Sequence, residues 1–288
     1  MSAQLVHSIA EVQRVVDPIR AAGQAIGLVP TMGALHAGHG KLIEIARSEC
    51  ACVVTSIFVN PIQFDRADDY DRYPRTLARD LEFCAAHGVD VVFAPSAEEM
   101  YERPQRAFVE VNRLTDYLCG QFRPGHFRGV ATVVLKLLNI VRPHRAYFGE
   151  KDAQQHAVIR RMVSDLNVPV TIVAVPTVRE ADGLALSSRN QLLSVEERRI
   201  APVLIQALRK AQTLIAAGAA EATAIKREAA RVFEAHPGVR VEYFEIVDPE
   251  EMQPVSHVTG PVRVAGAIWI GKTRLIDNLL AIPGGSRR

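Results

Sequence analysis

Two periods organise the first two-thirds of the chain. Between Ser8 and Arg20, the apolar residues Ile9, Val12, Val15, Val16 and Ile19 recur at helical spacing and share one face. Residues 25–29 and 52–59 are instead continuous apolar runs, the second rich in β-branched side chains, as in strands buried on both faces. Helical patterns cover 41–48, 76–87, 130–141 and 153–166, with Gly88 a typical stop signal after the second of these. Further strands are expected over 89–93, 146–148 and 168–175. Strands separated by helices predict an α/β, Rossmann-like parallel sheet covered on both faces. Ligands of such sheets bind beyond the carboxyl ends of the strands.

The pattern changes near Pro176. Ser194-Val195-Glu196-Glu197 has the form of a capping box. One long amphipathic helix is expected to follow, with Ile200, Leu204, Leu208, Ala211 and Ile215 on its face and Gly218 ending it. A helix over 224–234 and strands over 241–247 and 262–270 complete a smaller α+β domain. The expected division is 1–177 for the Rossmann-like domain and 178–288 for the smaller one, which could act as a lid.

Composition narrows the class. The chain has 288 residues, 48% of them hydrophobic, enough for a real core. A formal net charge of +2 argues against nucleic acid as a partner. No apolar run approaches the roughly 20 residues of a membrane helix, so no membrane partner is expected. The four cysteines form no disulfide framework or C-x-x-C pair, which fits a reducing compartment and a cytoplasmic location. The first residues lack the order of a secretory signal.

Candidate chemistry gathers at the expected strand ends. Residues 30–39, PTMGALHAGH, place His36 and His39 where a strand hands over to a helix, and a helix N-terminus favours phosphate. Incidental surface or half of a zinc site are the competing readings, the latter weakened by the absence of further ligands at suitable spacing. FGEKD (148–152) offers Lys151 as a point charge for phosphate and Asp152 for ribose hydroxyls. A solvated loop explains the same residues. Asn60 and Gln63 in NPIQF supply amides suited to a substrate with hydroxyls and a carboxylate, although alone the motif reads first as turn chemistry. Gln155, one turn farther along, would face the same side as Lys151. Ser187, Ser188 and Arg189 form a compact anion-binding set or a linker cap. Arg123 begins a basic turn, RPGHFR. Asp68, Asp69, Asp71 and Asp80 are possible magnesium carboxylates.

Taken in order, PTMGALHAGH, FVNPIQF, YPRT, RPGHFRGV, FGEKDAQQ, VPTVREADGLALSSRN and GKTRLIDN resemble the pantoate–β-alanine ligase (pantothenate synthetase) family over nearly the whole chain. That family is similar to the wider group of nucleotidyl-transferring enzymes with a His-x-Gly-His signature. The resemblance implies that pantoate and ATP give pantoyl adenylate and pyrophosphate, after which β-alanine displaces AMP. By motif it implies His36, His39 and Lys151 as catalytic groups on the phosphates. Ser187, Ser188 and Arg189 would hold the β- and γ-phosphates, Gly149 and Asp152 the ribose, and the Val178 backbone the adenine. Gln63 and Gln155 would hold pantoate, with Met32, Phe58 and Val134 against its dimethyl group and Asn60 a weaker transfer; Met32 would also touch ATP. Mg²⁺ would accompany ATP, with Asp80 as its contact, and the assembly would be a homodimer. Three departures stand out: Leu186 and Ile62 where methionine is frequent, and Arg79 where an acidic residue can precede Asp80.

Overall fold

The computed structural model describes residues 3–101 and 105–284. In chain order the elements are β1 (Gln4–Val6), α1 (Ile9–Ala21), β2 (Ile26–Thr31), α2 (Ala37–Glu49), β3 (Cys52–Ile57), α3 (Ala67–Asp71), α4 (Leu77–Ala86), β4 (Val91–Phe93) and α5 (Ala97–Met100). They continue with α6 (Leu118–Phe122), α7 (His126–Val141), β5 (Arg145–Gly149), α8 (Ala153–Asp165), β6 (Thr171–Val175), α9 (Val195–Ile200), α10 (Val203–Ala216), α11 (Ala222–Glu234), β7 (Val239–Val247), β8 (Val262–Ile270) and β9 (Thr273–Ala281). Short 3-10 turns lie at Pro61–Gln63, Glu150–Asp152 and Ser188–Leu192.

Two compact units result. The first runs to Val111 and takes in Pro124–Glu150 and Val158–Val178. The second comprises Asn112–Arg123, Lys151–Ala157 and the chain from Arg179 onward. Sequence reading had no signal for the two short inserts, because side chains distant in sequence tie them in. Gln154 Nε2 donates to the carbonyls of Leu114 and Tyr117, and Asn278 Nδ2 donates to that of Lys151.

The first unit is built on a six-stranded sheet in the order β1-β4-β3-β2-β5-β6, every recorded pairing parallel. The expected Rossmann-like sheet is therefore present. The order in which the chain adds strands reverses between β2 and β5, the switch point at which ligands of open α/β sheets bind. Asn60 and Gln63, the histidines, Gly149 and Val178 lie at or just beyond the carboxyl ends of the adjacent strands β3, β2, β5 and β6. Val29, Ile43, Val53 and Val92 lie in the core of this unit.

Strand ends differ from the sequence expectation for local reasons. Val89 N donates to Cys84 O to close α4, so β4 begins only at Val91. Val168 N donates to Val163 O in the turn after α8, which delays β6 to Thr171. The strand β1 has too few residues to show a period.

In the second unit, β7, β8 and β9 form an antiparallel sheet in that order. Leu204, Leu208 and Ile215 of α10 and Ile225 of α11 share one core with Ile246, Val264 and Ile268. The capping box of α9 is present, with Ser194 Oγ accepting from Glu197 N. The single long helix expected after it is two helices, because Pro202 cannot donate its backbone nitrogen and stands at the junction. Ser194→Ala is expected to cost about 1 kcal/mol, the usual value of such a cap, read by thermal unfolding.

Candidate active site

The turn from β2 into α2 is held from below. Gly33 and Ala34 both have left-handed backbone, at φ 85° and 51°. Glycine takes that conformation freely; alanine does not, so Ala34 must be held in place. Asp80 does so. Its Oδ2 accepts from Ala34 N at 3.0 Å and its Oδ1 from Leu35 N at 2.8 Å, while Thr76 Oγ1 donates to Oδ2 at 3.1 Å. Thr31 adds a second tie, accepting from Gly33 N and donating to Ser56 O.

The turn delivers His36 as the N-cap of α2 and His39 into its first turn. Gly38 N donates to His36 Nδ1 at 3.1 Å, and His36 N donates to His39 Nδ1 at 3.3 Å. A ring nitrogen that accepts carries no proton, so each imidazole bears its N–H on Nε2. The centroids are 4.2 Å apart. Two imidazole donors thus stand side by side at a helix N-terminus, an arrangement suited to phosphate oxygens.

Asp80, which the resemblance implies as a magnesium contact, holds the turn in this structure. It is 1% exposed, and both oxygens are engaged by the turn. Among the described residues, no group of three or more His, Cys, Asp or Glu side chains is arranged to hold a metal ion.

After β3, the 3-10 turn Pro61–Gln63 rests on α7 at Gly129. A Cβ on Gly129 would stand 2.3 Å from Ile62 O, so no larger residue fits without moving the turn. His126 Nδ1 donates to Gln63 O at 2.8 Å. Asn60 Nδ2 donates to Gln63 Oε1 and to Gly129 O, and Gln63 Nε2 points at Met32 Sδ, 3.1 Å away. Phe58 is buried with its ring 6.1 Å from that of Tyr101, whose hydroxyl donates to Asn60. Met32, Phe58, Asn60 and Gln63 are thereby linked in one cluster; Val134 is buried farther along α7. Gly129→Ala is expected to displace the turn and raise the KM of any substrate held by the Asn60–Gln63 amides by at least about tenfold, the kind of loss that small misplacements of a binding group cause. Steady-state kinetics read it.

Gly149 ends β5 with open space where a Cβ would stand. Val178, half-buried, follows β6 and lines a groove of about 630 Å³ with Ala37, Gly40, Lys41 and His87.

The remaining candidates belong to the second unit. The Lys151 side chain is 19% exposed, with Nζ 3.8 Å from Asp152 Oδ1. Gln155 is half-buried in the first turn of α8. Ser187 caps the 3-10 turn Ser188–Leu192, its Oγ accepting from Arg189 N, so the capping and anion-binding readings apply to the same residue. Arg123 closes α6.

Sequence reasoning missed two residues that organise this unit. Asp277 takes both guanidinium nitrogens of Arg179, at 2.6 and 3.0 Å, where the segment leading to Ser187 begins. Its neighbour Asn278 holds the Lys151 carbonyl at 2.9 Å and accepts from Arg263. The signal was the polar pair set between the apolar pairs Leu275-Ile276 and Leu279-Leu280 of β9.

Comparison with known proteins decides the family. The sequence profile described as pantoate-beta-alanine ligase matches residues 4–280. The chain belongs to the pantoate–β-alanine ligase family. It is 52% identical to the pantothenate synthetase of Moorella thermoacetica over 96% of this chain and 98% of that one. The Heliobacterium modesticaldum pantothenate synthetase is 54% identical over 90% and 92% of the two chains. Among solved structures, the Thermus thermophilus pantothenate synthetase superposes with a TM-score of 0.91 at 47% identity, covering 96% of this chain and 98% of that chain. A pantoate-beta-alanine ligase from Francisella tularensis, complexed with beta-gamma ATP and beta-alanine, gives a TM-score of 0.81 at 36% identity, over 97% and 98%. The resemblance read from the ordered motifs holds, and the chain is a ligase of pantothenate biosynthesis that forms an amide bond.

Proposed function

We propose that each half of the ATP-dependent ligation is run by positioning and charge, with His36 and His39 as the central groups. The observation that carries this reading is the pair of Nδ1 atoms engaged by backbone N–H groups, which sets the N–H of each imidazole on Nε2 at the start of α2. In the first step a carboxylate oxygen of pantoate attacks the α-phosphorus of ATP and pyrophosphate leaves. The attacking oxygen and the phosphate are both anionic. Donors that meet the growing negative charge therefore lower this barrier most. His36, His39 and Lys151 act there. Ser187, Ser188 and Arg189 hold the outer phosphates, Gly149 and Asp152 the ribose, the Val178 backbone the adenine, and Met32 touches ATP as well as pantoate. Gln63, Gln155 and Asn60 orient pantoate, and Met32, Phe58 and Val134 pack on its dimethyl group. In the second step the β-alanine amine attacks the acyl carbon and AMP leaves. No enzyme nucleophile is required.

Magnesium enters with the ATP phosphates as part of the substrate, consistent with its habit of keeping waters and phosphate oxygens as ligands. The protein works in the cytoplasm on small molecules, as a homodimer. Its four cysteines are free and buried, which fits a reducing compartment, and no helix among the described residues is long and apolar enough to cross a membrane.

The deciding experiment is ATP–pyrophosphate exchange with pantoate present and β-alanine absent. Exchange supports the adenylate step; its absence removes it. His36→Asn separates the two duties of that residue. Asparagine is among the best N-caps, so the melting temperature should stay nearly unchanged, while loss of the Nε2 donor lowers exchange on the order of a hundredfold. A variant that keeps full exchange would remove the imidazole from the phosphates.

A further inference from the structure

The Gln63 amide has two ends of similar shape and opposite chemistry, and the surroundings select one orientation. The selection starts at a backbone carbonyl. Gly129 O can only accept, so the Asn60 atom 3.2 Å away is the amide nitrogen. A proton of the same nitrogen is directed to Gln63 at 3.0 Å, which makes the facing Gln63 atom Oε1 and turns Nε2 the other way, toward Met32. Asn60 Oδ1 is left pointing at Tyr101, whose hydroxyl donates to it at 2.7 Å. Tyr101 itself is 6% exposed, follows α5, and has Phe58 beside its ring and Lys136 Nζ 5.5 Å from its centroid. Burial pushes the Tyr101 hydroxyl up, so it remains a donor.

We propose that Tyr101 is a positioning residue for the hydroxy-acid substrate, acting through Asn60 to hold the Gln63 amide with its nitrogen toward the ligand. An N–H donor there recognises a hydroxyl or carboxylate oxygen. The reversed amide would set an oxygen against those lone pairs. Without the tyrosine hydroxyl, Asn60 Oδ1 is a buried acceptor with no donor. That penalty favours rotation of Asn60 away from Gly129, and Gln63 then loses the contact that fixes its orientation. Tyr101 lies 41 residues from Asn60 and touches neither motif in sequence. The inference rests on the reading of Gln63 as a pantoate contact.

The test is a double-mutant cycle on Tyr101→Phe and Gln63→Ala, read in ATP–pyrophosphate exchange with pantoate and ATP varied in turn. Phenylalanine keeps the ring and its packing and removes only the hydroxyl. The single variant Tyr101→Phe should raise the pantoate KM about tenfold, the effect of one buried hydrogen bond, and leave the ATP KM unchanged. In the Gln63→Ala background the same change should add little, because the group it acts on is gone. Full additivity of the two effects would overturn the proposal, as would equal rises in both KM values. A raised pantoate KM in Gln63→Ala with none in Tyr101→Phe overturns the proposal and leaves Gln63 as a pantoate contact. No change in Gln63→Ala removes that contact itself. Thermal unfolding of each variant identifies any loss that is only one of folding, and a matching fall in melting temperature with a uniform loss of activity counts against the proposal.

Discussion

Lys151→Ala is expected to lower pantoate-dependent pyrophosphate exchange on the order of a hundredfold or more, the scale for removing one preorganised donor from a transition state. In the proposed role the fall should be in kcat, with the ATP KM changed much less, because the charge to be met grows as the phosphate bonds rearrange. Lys151 is well placed for a precise role. The 3-10 turn Glu150–Asp152 follows β5 directly, the side chain is mostly buried, and Asn278 holds the backbone carbonyl. Lys151→Arg should not restore the rate, since a planar fork cannot stand in for a compact ammonium. Stopped exchange assays at saturating ATP measure both variants, and near-normal exchange in Lys151→Ala would remove the lysine from the reaction.

The second large effect is on Asp80→Ala. The change leaves Ala34 N and Leu35 N without their buried acceptor and frees a turn with two left-handed residues. The expected loss is about 3–5 kcal/mol, and the melting temperature should fall by roughly 10 °C. Activity falls with it, because the turn presents His36 and His39. The magnesium concentration needed for half-maximal residual activity should stay the same. A large rise in that requirement, with stability intact, would restore Asp80 as a metal contact.

These two residues mark how much the sequence made legible. The histidines, the Lys151 loop and the amide turn each lie within one short motif, and local chemistry suffices to single them out. The parallel sheet was legible for a similar reason, since 52–59 and its neighbours are apolar on both faces. Asp80 was recognised as a residue of interest, but its hold on the turn was not foreseen. A carboxylate 46 residues from the backbone it holds looks, in sequence, like any carboxylate near a phosphate site. Tyr101 acts at similar range and carries no local signature, and Asn278, acting at longer range, shows only as half of a polar pair in β9. The expected long helix failed on one residue, Pro202, whose effect the apolar spacing around it concealed.

The register of β2 against β3 has a consequence for how this chain can vary in length. The two strands pair over six residues, Ile26 with Cys52 through Thr31 with Ile57, so the imidazole turn and the amide turn start from the same rung. Deleting one residue inside β2 would draw the imidazoles back by about 3.3 Å and exchange the faces of the side chains beyond the cut. Compensation would require an equal deletion in β3, and β5, paired with β2 on its other side, would then be out of step. Length changes are therefore closed to the strands at the centre of this sheet, and descent with insertions and deletions is left to segments that begin and end away from that rung.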